Sequence, residues 1–284
     1  MDIVDAHCHA SPCWYEPVES LLYQMDRHGI ERAVLVQIRG QTDNDYLFEC
    51  VRRYPDRFVP VVLLDPARPR AEREMERLAG RGARGVRLEA SARSPGDHPE
   101  GDRGDHPQDH RGDHLEGDRL AIWRKAAQLG LPVSTRGSSA DYAADEFAQL
   151  VQAVPDLTVV MEHLGSRNYP DGEPPPYETR QRALALARFP NVYVKLGGLG
   201  EFCTRAMPVR EPFPFEEPVP PFIEMAYRAF GPERMMWGSD FPPVSHREGY
   251  TNALRFALDR FAEKSAEERD LIFGGVALRL FYGT

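Results

Sequence analysis

The sequence predicts a (β/α)8 barrel, the TIM-like α/β fold in which eight parallel strands form a ring inside their connecting helices. Three observations point there. Eight short runs of β-branched and apolar residues alternate with helical patterns through nearly the whole chain. The length of 284 residues, 42% of them apolar, suits one barrel of about 250 residues with one sizeable core. Seven of the eight runs also end in polar or charged residues, and the C-terminal ends of strands are where such barrels assemble their functional groups. The expectation is a single domain over residues 1–284, a distorted barrel carrying a low-complexity insert at 93–119 after the fourth strand.

The first strand runs from Asp2 and ends in His7 and His9. Side chains alternate across a strand, so the two imidazoles share one side and Cys8 faces the other. A helix follows from Pro17 to His28, stopped by Gly29. Ala33–Gln37 is the second strand and Asn44–Tyr54 the second helix. Phe58–Leu64 is the third strand, followed by a charged helix from about Arg70 to Arg81. Gly85–Glu89 is the fourth strand. After the insert come helix Leu120–Leu129 and strand Pro132–Arg136. Helix Ala140–Val154 leads to the sixth strand, Leu157–Glu162, and helix Tyr177–Arg188 to the seventh, Val192–Leu196. A Pro-rich loop and helix Phe222–Phe230 precede the eighth, Met235–Trp237. Helices Asn252–Glu263 and Ala266–Leu280 finish the chain.

The insert repeats one octad three times, from Gly96 to Arg103, Gly104 to Arg111 and Gly112 to Arg119. Eight residues are too few for a repeat unit with its own core. Nearly free of apolar residues and rich in Gly and Pro, the segment cannot offset the entropy of ordering, so a flexible loop is expected. That sets aside His98, His106, His110 and His114 as ligands. With six Asp, two Glu and three Arg, residues 96–119 also hold −5 of the net charge of −9. An acidic chain excludes nucleic acid as a partner. No apolar run approaches the roughly 20 residues a membrane helix needs. The start opens directly into a strand, which predicts no signal peptide. Cys8, Cys13, Cys50 and Cys203 form no CxxC pair or regular framework, and the expected compartment is the cytoplasm.

The polar strand ends form the candidate site. They are His7 and His9, Gln37, Arg87 and Glu89, Arg136, Glu162 and His163, Lys195, and Ser239-Asp240. Asp240, followed by the rigid Phe241-Pro242-Pro243, suits a general base or a metal ligand. His163 suits carbonyl polarisation or proton transfer. Arg87 and Arg136 suit recognition of a substrate carboxylate through two parallel hydrogen bonds, with Gln37, Glu89 and Lys195 as further substrate contacts. A salt bridge of Arg87 with Glu89 or Glu162 is the structural alternative.

Asp5-Ala6-His7-Cys8-His9, Glu162-His163-Leu164-Gly165 and Trp237-Gly238-Ser239-Asp240-Phe241-Pro242 resemble the signatures of the amidohydrolase superfamily. The likeness is to its amidohydrolase-related branch, which holds 2-pyrone-4,6-dicarboxylate lactonases, fuconolactonase-type lactonases and, more distantly, aminocarboxymuconate-semialdehyde decarboxylases. Phe273–Phe281 resembles the branch's closing helix, with Val276 where Asn is usual. The resemblance implies His7, His9 and Asp240 at metal-binding or equivalent positions, with His163 as a further ligand in reserve. It places Arg87 at a substrate-contacting arginine of the lactonases. Metal-dependent decarboxylases of the branch carry a ligand histidine on the fifth strand, where this chain reads Ser134-Thr135-Arg136-Gly137. Catalytic zinc takes about three protein ligands plus water, so one divalent metal, Zn or Mn, fits, and metal-independent hydrolysis as in the branch's lactonases fits equally. The expected function is hydrolysis of a small anionic or sugar-derived lactone or ester, with Asp240 and His163 as the catalytic pair. A metal-dependent decarboxylase or hydratase is the first alternative, and a non-catalytic barrel that binds a carboxylated metabolite the second. Barrels of this size often pair, so a homodimer belongs among the expectations.

Overall fold

The computed structural model describes residues 1–90, 120–165 and 173–283. The octad repeat and the adjoining part of the insert lie outside them. Strands β1 (Val4–Cys8), β2 (Arg32–Val36), β3 (Phe58–Leu63), β4 (Gly85–Glu89), β5 (Val133–Arg136), β6 (Val159–Met161), β7 (Val192–Leu196) and β8 (Met235–Trp237) form one parallel sheet in chain order. The last strand meets the first just beyond its own end. The Asp240 amide donates to the His7 carbonyl and the His9 amide to the Phe241 carbonyl, both at 2.8 Å. Gly238 permits this approach, since a Cβ there would lie 2.6 Å from the His7 backbone nitrogen.

Strand parity separates the layers. Inward-facing Val4, Ala6, Val34, Val36, Val59, Val61, Val160 and Met236 fill the lower barrel, closed from below by Val276, Ala277 and Phe281. The intervening residues, such as Leu35, Val62, Val86, Val133, Val159, Val194 and Trp237, point outward into the larger core under the helices. Inward positions one step further up the strands are polar: Arg87, Ser134, Glu162 and Lys195, all buried. The barrel therefore has an apolar floor and a charged upper layer. In β1 the pairing runs Asp5 with Ala33 but Cys8 with Leu35, three steps against two. This one-residue bulge lets consecutive residues, Ala6 and His7, both serve the interior: Ala6 packs in the apolar floor and His7 meets Lys195 above it.

The helices are α1 (Val18–Arg27), α2 (Asp45–Arg53), α3 (Ala71–Gly80), α4 (Ala121–Gln128), α5 (Ser139–Ala143), α6 (Asp145–Ala153), α7 (Glu178–Leu184), α8 (Phe222–Phe230), α9 (Tyr250–Arg260) and α10 (Ala266–Asp270). Apolar spacing sets their buried faces, as with Val18, Leu21 and Met25 in α1. The helix expected over Ala140–Val154 is two. Ser138 caps α5 in a reciprocal box with Asp141, and Ala144 turns extended (φ −70°, ψ 140°) before α6 begins. The last helix continues past α10 in loosely wound π-type turns to Tyr282. Among the described residues no helix is long and apolar enough to cross a membrane.

Candidate active site

A cleft of about 240 Å³ opens at the C-terminal mouth of the barrel, walled by His9, Tyr15, Arg39, Arg87, Arg136, His163, Glu201, Asp240 and Arg247 among others. A larger groove on the outer surface beside α1 contains no histidine and no arginine, so the chemistry lies at the mouth.

Asp240 sits at the centre. Its backbone is left-handed (φ 55°), a conformation costly for a residue with a side chain and found preferentially at functional sites. Buried Asp5 supports it. One Asp5 carboxylate oxygen accepts from the Ser239 amide (2.8 Å), the other from the Ser239 hydroxyl (2.6 Å) and the Tyr250 hydroxyl (2.8 Å). The Ser239 hydroxyl oxygen accepts from the Phe241 amide at 3.0 Å. Asp240 Oδ1 lies 3.3 Å from His9 Nε2 and 3.8 Å from His7 Nε2, while Oδ2 accepts from Arg247 Nη1 at 2.7 Å. Burial would raise the Asp240 carboxyl, but the charges of His163 and Arg247 and the His9 ring hold it well below the usual carboxylate range. Asp240 is an anion at neutral pH.

The histidines have distinct settings. His9 donates from Nδ1 to the Val36 carbonyl at 2.7 Å, turning Nε2 toward Asp240. Burial, with Lys195 and His163 nearby, holds His7 well below its ordinary pKa, so its ring is neutral. His163 also has left-handed backbone (φ 52°), and its Nδ1 lies 3.1 Å from Glu201 Oε1. Burial alone would lower its pKa, but the Glu201 and Asp240 carboxylates leave it raised.

Beneath this layer a charged network braces the floor. Arg87 makes a two-pronged pair with Glu162 (Nε to Oε1 3.0 Å, Nη2 to Oε2 2.6 Å) and donates to the Gln37 carbonyl at 2.8 Å. Ser134 donates to Glu162 Oε1 at 2.8 Å. Lys195 Nζ reaches the Ser134 hydroxyl at 3.0 Å and His7 Nδ1 at 3.2 Å. Ser134, on the fifth strand, thus links Glu162 to Lys195. Burial brings Lys195 down to about 8.

For Glu162, burial pushes upward, but Arg87 and Lys195 bring the carboxyl down to about 2. A depressed carboxylate stabilises the fold above its unfolded pKa and loses that contribution as pH falls through its folded pKa. We expect stability to drop by about 3 kcal/mol between roughly pH 4.5 and pH 2 from this group. Thermal unfolding across that window checks it: Glu162→Gln should flatten the slope, and an unchanged slope would contradict it.

Of the residues expected from sequence, His9, Arg87, Arg136, His163 and Asp240 line the cleft. His7 and Lys195 lie in the buried layer below, joined to each other. Glu89 stands on the rim, paired with Arg136 at 3.2 Å and 3.8 Å from Arg39. Gln37 is turned away: its amide nitrogen donates to the Asp43 carbonyl at 2.6 Å and its oxygen accepts from the Ile38 amide at 2.7 Å. Sequence reasoning did not single out Tyr15, Arg39, Glu201 or Arg247. Each follows a strand in the same loops that supplied the others, so scanning seven residues past Asp240 would have reached Arg247.

The donor set fits a divalent ion. Metal–ligand bonds near 2.1 Å in a tetrahedral site put ligand atoms about 3.4 Å apart. One ligand atom from each of His7, His9 and Asp240 lies within 4.8 Å of the others. Asp240 Oδ1 stands 3.3 Å from His9 Nε2 and 3.8 Å from His7 Nε2, close to the tetrahedral spacing. His7 Nε2 is buried with no hydrogen-bond partner, and the Val36 carbonyl orients His9 as an outer partner of a metal ligand does.

A parallel eight-stranded barrel with histidines and a carboxylate at its C-terminal mouth has the architecture of a TIM-barrel enzyme. Residues 4–282 match the Amidohydrolase (Amidohydro_2) family model, and the chain belongs to that amidohydrolase family as an enzyme. A relative described as uncharacterized protein y4mH, from Sinorhizobium fredii, is 31% identical over 167 residues; the match covers 56% of this chain and half of the relative's length. Two solved structures share the fold. A probable 2-pyrone-4,6-dicarboxylic acid hydrolase from Acinetobacter baumannii, with citric acid bound, is 19% identical with a TM-score of 0.66, covering 99% of this chain and 100% of its own. A zinc-bound amidohydrolase from Burkholderia multivorans is 21% identical with a TM-score of 0.69, covering 99% of each chain.

Proposed function

We propose that this amidohydrolase hydrolyses small lactones, or closely related esters, that carry carboxylate groups. One observation carries the reading. The cleft wall presents four arginines, Arg39, Arg87, Arg136 and Arg247, against two carboxylates, Glu201 and Asp240. Glu162 and Glu89, behind that wall, pair with Arg87 and Arg136, so the attraction is not a net charge excess but the convergence of guanidinium groups on one cleft. Each has more N–H donors than a single carboxylate takes, and this favours an anionic ligand. The citrate-bound relative supports the same ligand class.

Asp240 accepts a proton from a water held beside His9, and the water oxygen attacks the lactone carbonyl. His163, whose ring is biased toward the charged form, donates a proton to the ring oxygen as the carbon–oxygen bond breaks. Proton return from Asp240 to His163 resets the pair. Arg87 has two N–H groups beyond its bonds to Glu162 and Gln37, and with Arg136 it orients the substrate carboxylates. His7, His9 and Asp240 would hold a zinc or manganese ion, which when bound supplies Lewis-acid polarisation and acidifies water.

Two measurements follow. A panel of lactones with and without carboxylates should show kcat/KM about 100-fold higher for the carboxylated members, each lost charged hydrogen bond costing about 1.5–3 kcal/mol. A preference for neutral sugar lactones would overturn the anionic assignment. Elemental analysis should find no more than one divalent ion per chain, lowered by His9→Ala. Two equivalents would contradict a site in which Arg247 already occupies the far oxygen of Asp240.

A further inference from the structure

We propose that Glu201 is a positioning residue for His163, holding the ring with its proton on Nδ1 and presenting Nε2 to the cleft beside Asp240. Its kinetic consequence rests on the hydrolytic reading above; the ring geometry does not.

Glu201 Oε1 lies 3.1 Å from His163 Nδ1. A carboxylate oxygen accepts, so the nitrogen facing it carries the hydrogen, and this outer contact selects the tautomer. Among the described residues the opposite nitrogen has no comparable partner: His163 Nε2 is 4.0 Å from Glu162 Oε2, beyond hydrogen-bond distance. His163 also lies past the end of β6 with left-handed backbone, so strand geometry does not set the ring's direction. A second hold is needed, and Glu201 supplies it from across the mouth.

Glu201 itself is fixed. It closes a tight turn at Leu199–Glu201, its amide donating to the Gly198 carbonyl at 3.2 Å. The turn is cut to admit its side chain, because any Cβ at Gly197 would overlap the Glu201 carboxylate. The side chain is 7% exposed, and Arg247 Nη2 stands 3.8 Å from the same oxygen that meets His163. The Gly197-Gly198-Leu199-Gly200-Glu201 segment therefore delivers one carboxylate to one ring nitrogen.

The consequence for the reaction is a fixed proton path. The hydrogen on Nδ1 stays with Glu201, and the hydrogen that reaches the leaving oxygen comes from Nε2. Glu201 stabilises the doubly protonated ring before that transfer. It acts through His163 and transfers no proton itself.

The test is 15N spectroscopy of the full-length protein with labelled histidine, at a pH where the rings are neutral. The His163 signals are identified by their loss in His163→Asn. The expected result is a protonated Nδ1 and a bare Nε2, the reverse of the preference of free imidazole. Glu201→Gln, which keeps an acceptor oxygen in place, should preserve that tautomer, and Glu201→Leu should lose it. On a hydrolysed lactone, Glu201→Leu should lower kcat about 10- to 100-fold with KM unchanged, and Glu201→Gln should recover part of the loss. A wild-type ring protonated on Nε2, or a tautomer unmoved in Glu201→Leu, would overturn the proposal. So would loss of bound metal in both variants, which would make Glu201 a ligand. If the wild type turns over no lactone, the hydrolytic reading fails while the tautomer result stands.

Discussion

Asp240→Asn should lower kcat/KM on a carboxylated lactone about a thousandfold and shift the melting temperature by only a few degrees. Asparagine has the shape of aspartate, so the contacts around the left-handed turn at Ser239-Asp240 survive. The Asp5 network that builds the turn does not involve the Asp240 side chain. The chemistry is lost. An amide cannot take a proton from water, and it removes the negative charge that faces His9, His7 and Arg247. Arg247 keeps Glu201 and Glu248 within 4 Å, so its charge is not stranded. Circular dichroism, melting and steady-state kinetics on one preparation separate the two effects. Turnover within tenfold of wild type would remove Asp240 as the base.

The largest stability effect is expected at the pair below. Arg87→Met should cost about 3–5 kcal/mol, because it leaves the Glu162 carboxylate buried without its main counter-charge. Glu162 is 1% exposed, so water cannot take the place of the guanidinium. Lys195 and Ser134 remain close, but Lys195 reaches Glu162 only through the Ser134 hydroxyl. The melting temperature should fall on the order of 10 °C. The double variant Arg87→Met/Glu162→Met should be more stable than Arg87→Met alone, since it removes the stranded charge together with its cause. Chemical denaturation of the three variants gives the cycle; a double variant no more stable than the single would show that packing, not charge, dominates this layer.

Much of the fold was legible because its signals are local. Each strand is a short apolar run, each helix an amphipathic one, and their alternation survives errors of a few residues at the boundaries. The candidate site was legible in outline for a related reason: polar residues at strand ends break an otherwise apolar pattern. What escaped depends on pairing across the barrel. The bulge in β1 is set by register against β2, and strict alternation alone would have put Ala6 and His7 on opposite faces. The Arg87–Glu162 pair joins residues 75 apart in sequence, so a salt bridge and a substrate contact read alike from the chain. Gln37 ends a strand like its neighbours, yet its amide serves the loop that follows. Arg247 and Glu201 sit in loops whose paths no periodicity describes. The break at Ala144 has neither glycine nor proline to announce it.

Incubation of the enzyme with 2-pyrone-4,6-dicarboxylate and related carboxylated lactones in heavy-oxygen water, read by mass spectrometry, tests the central claim most directly. The predicted product is the ring-opened acid, heavier by one water, with one heavy oxygen in the newly formed carboxylate and no carbon dioxide released. Carbon dioxide release from a carboxylated substrate without ring opening, or no turnover of any carboxylated lactone, would contradict it.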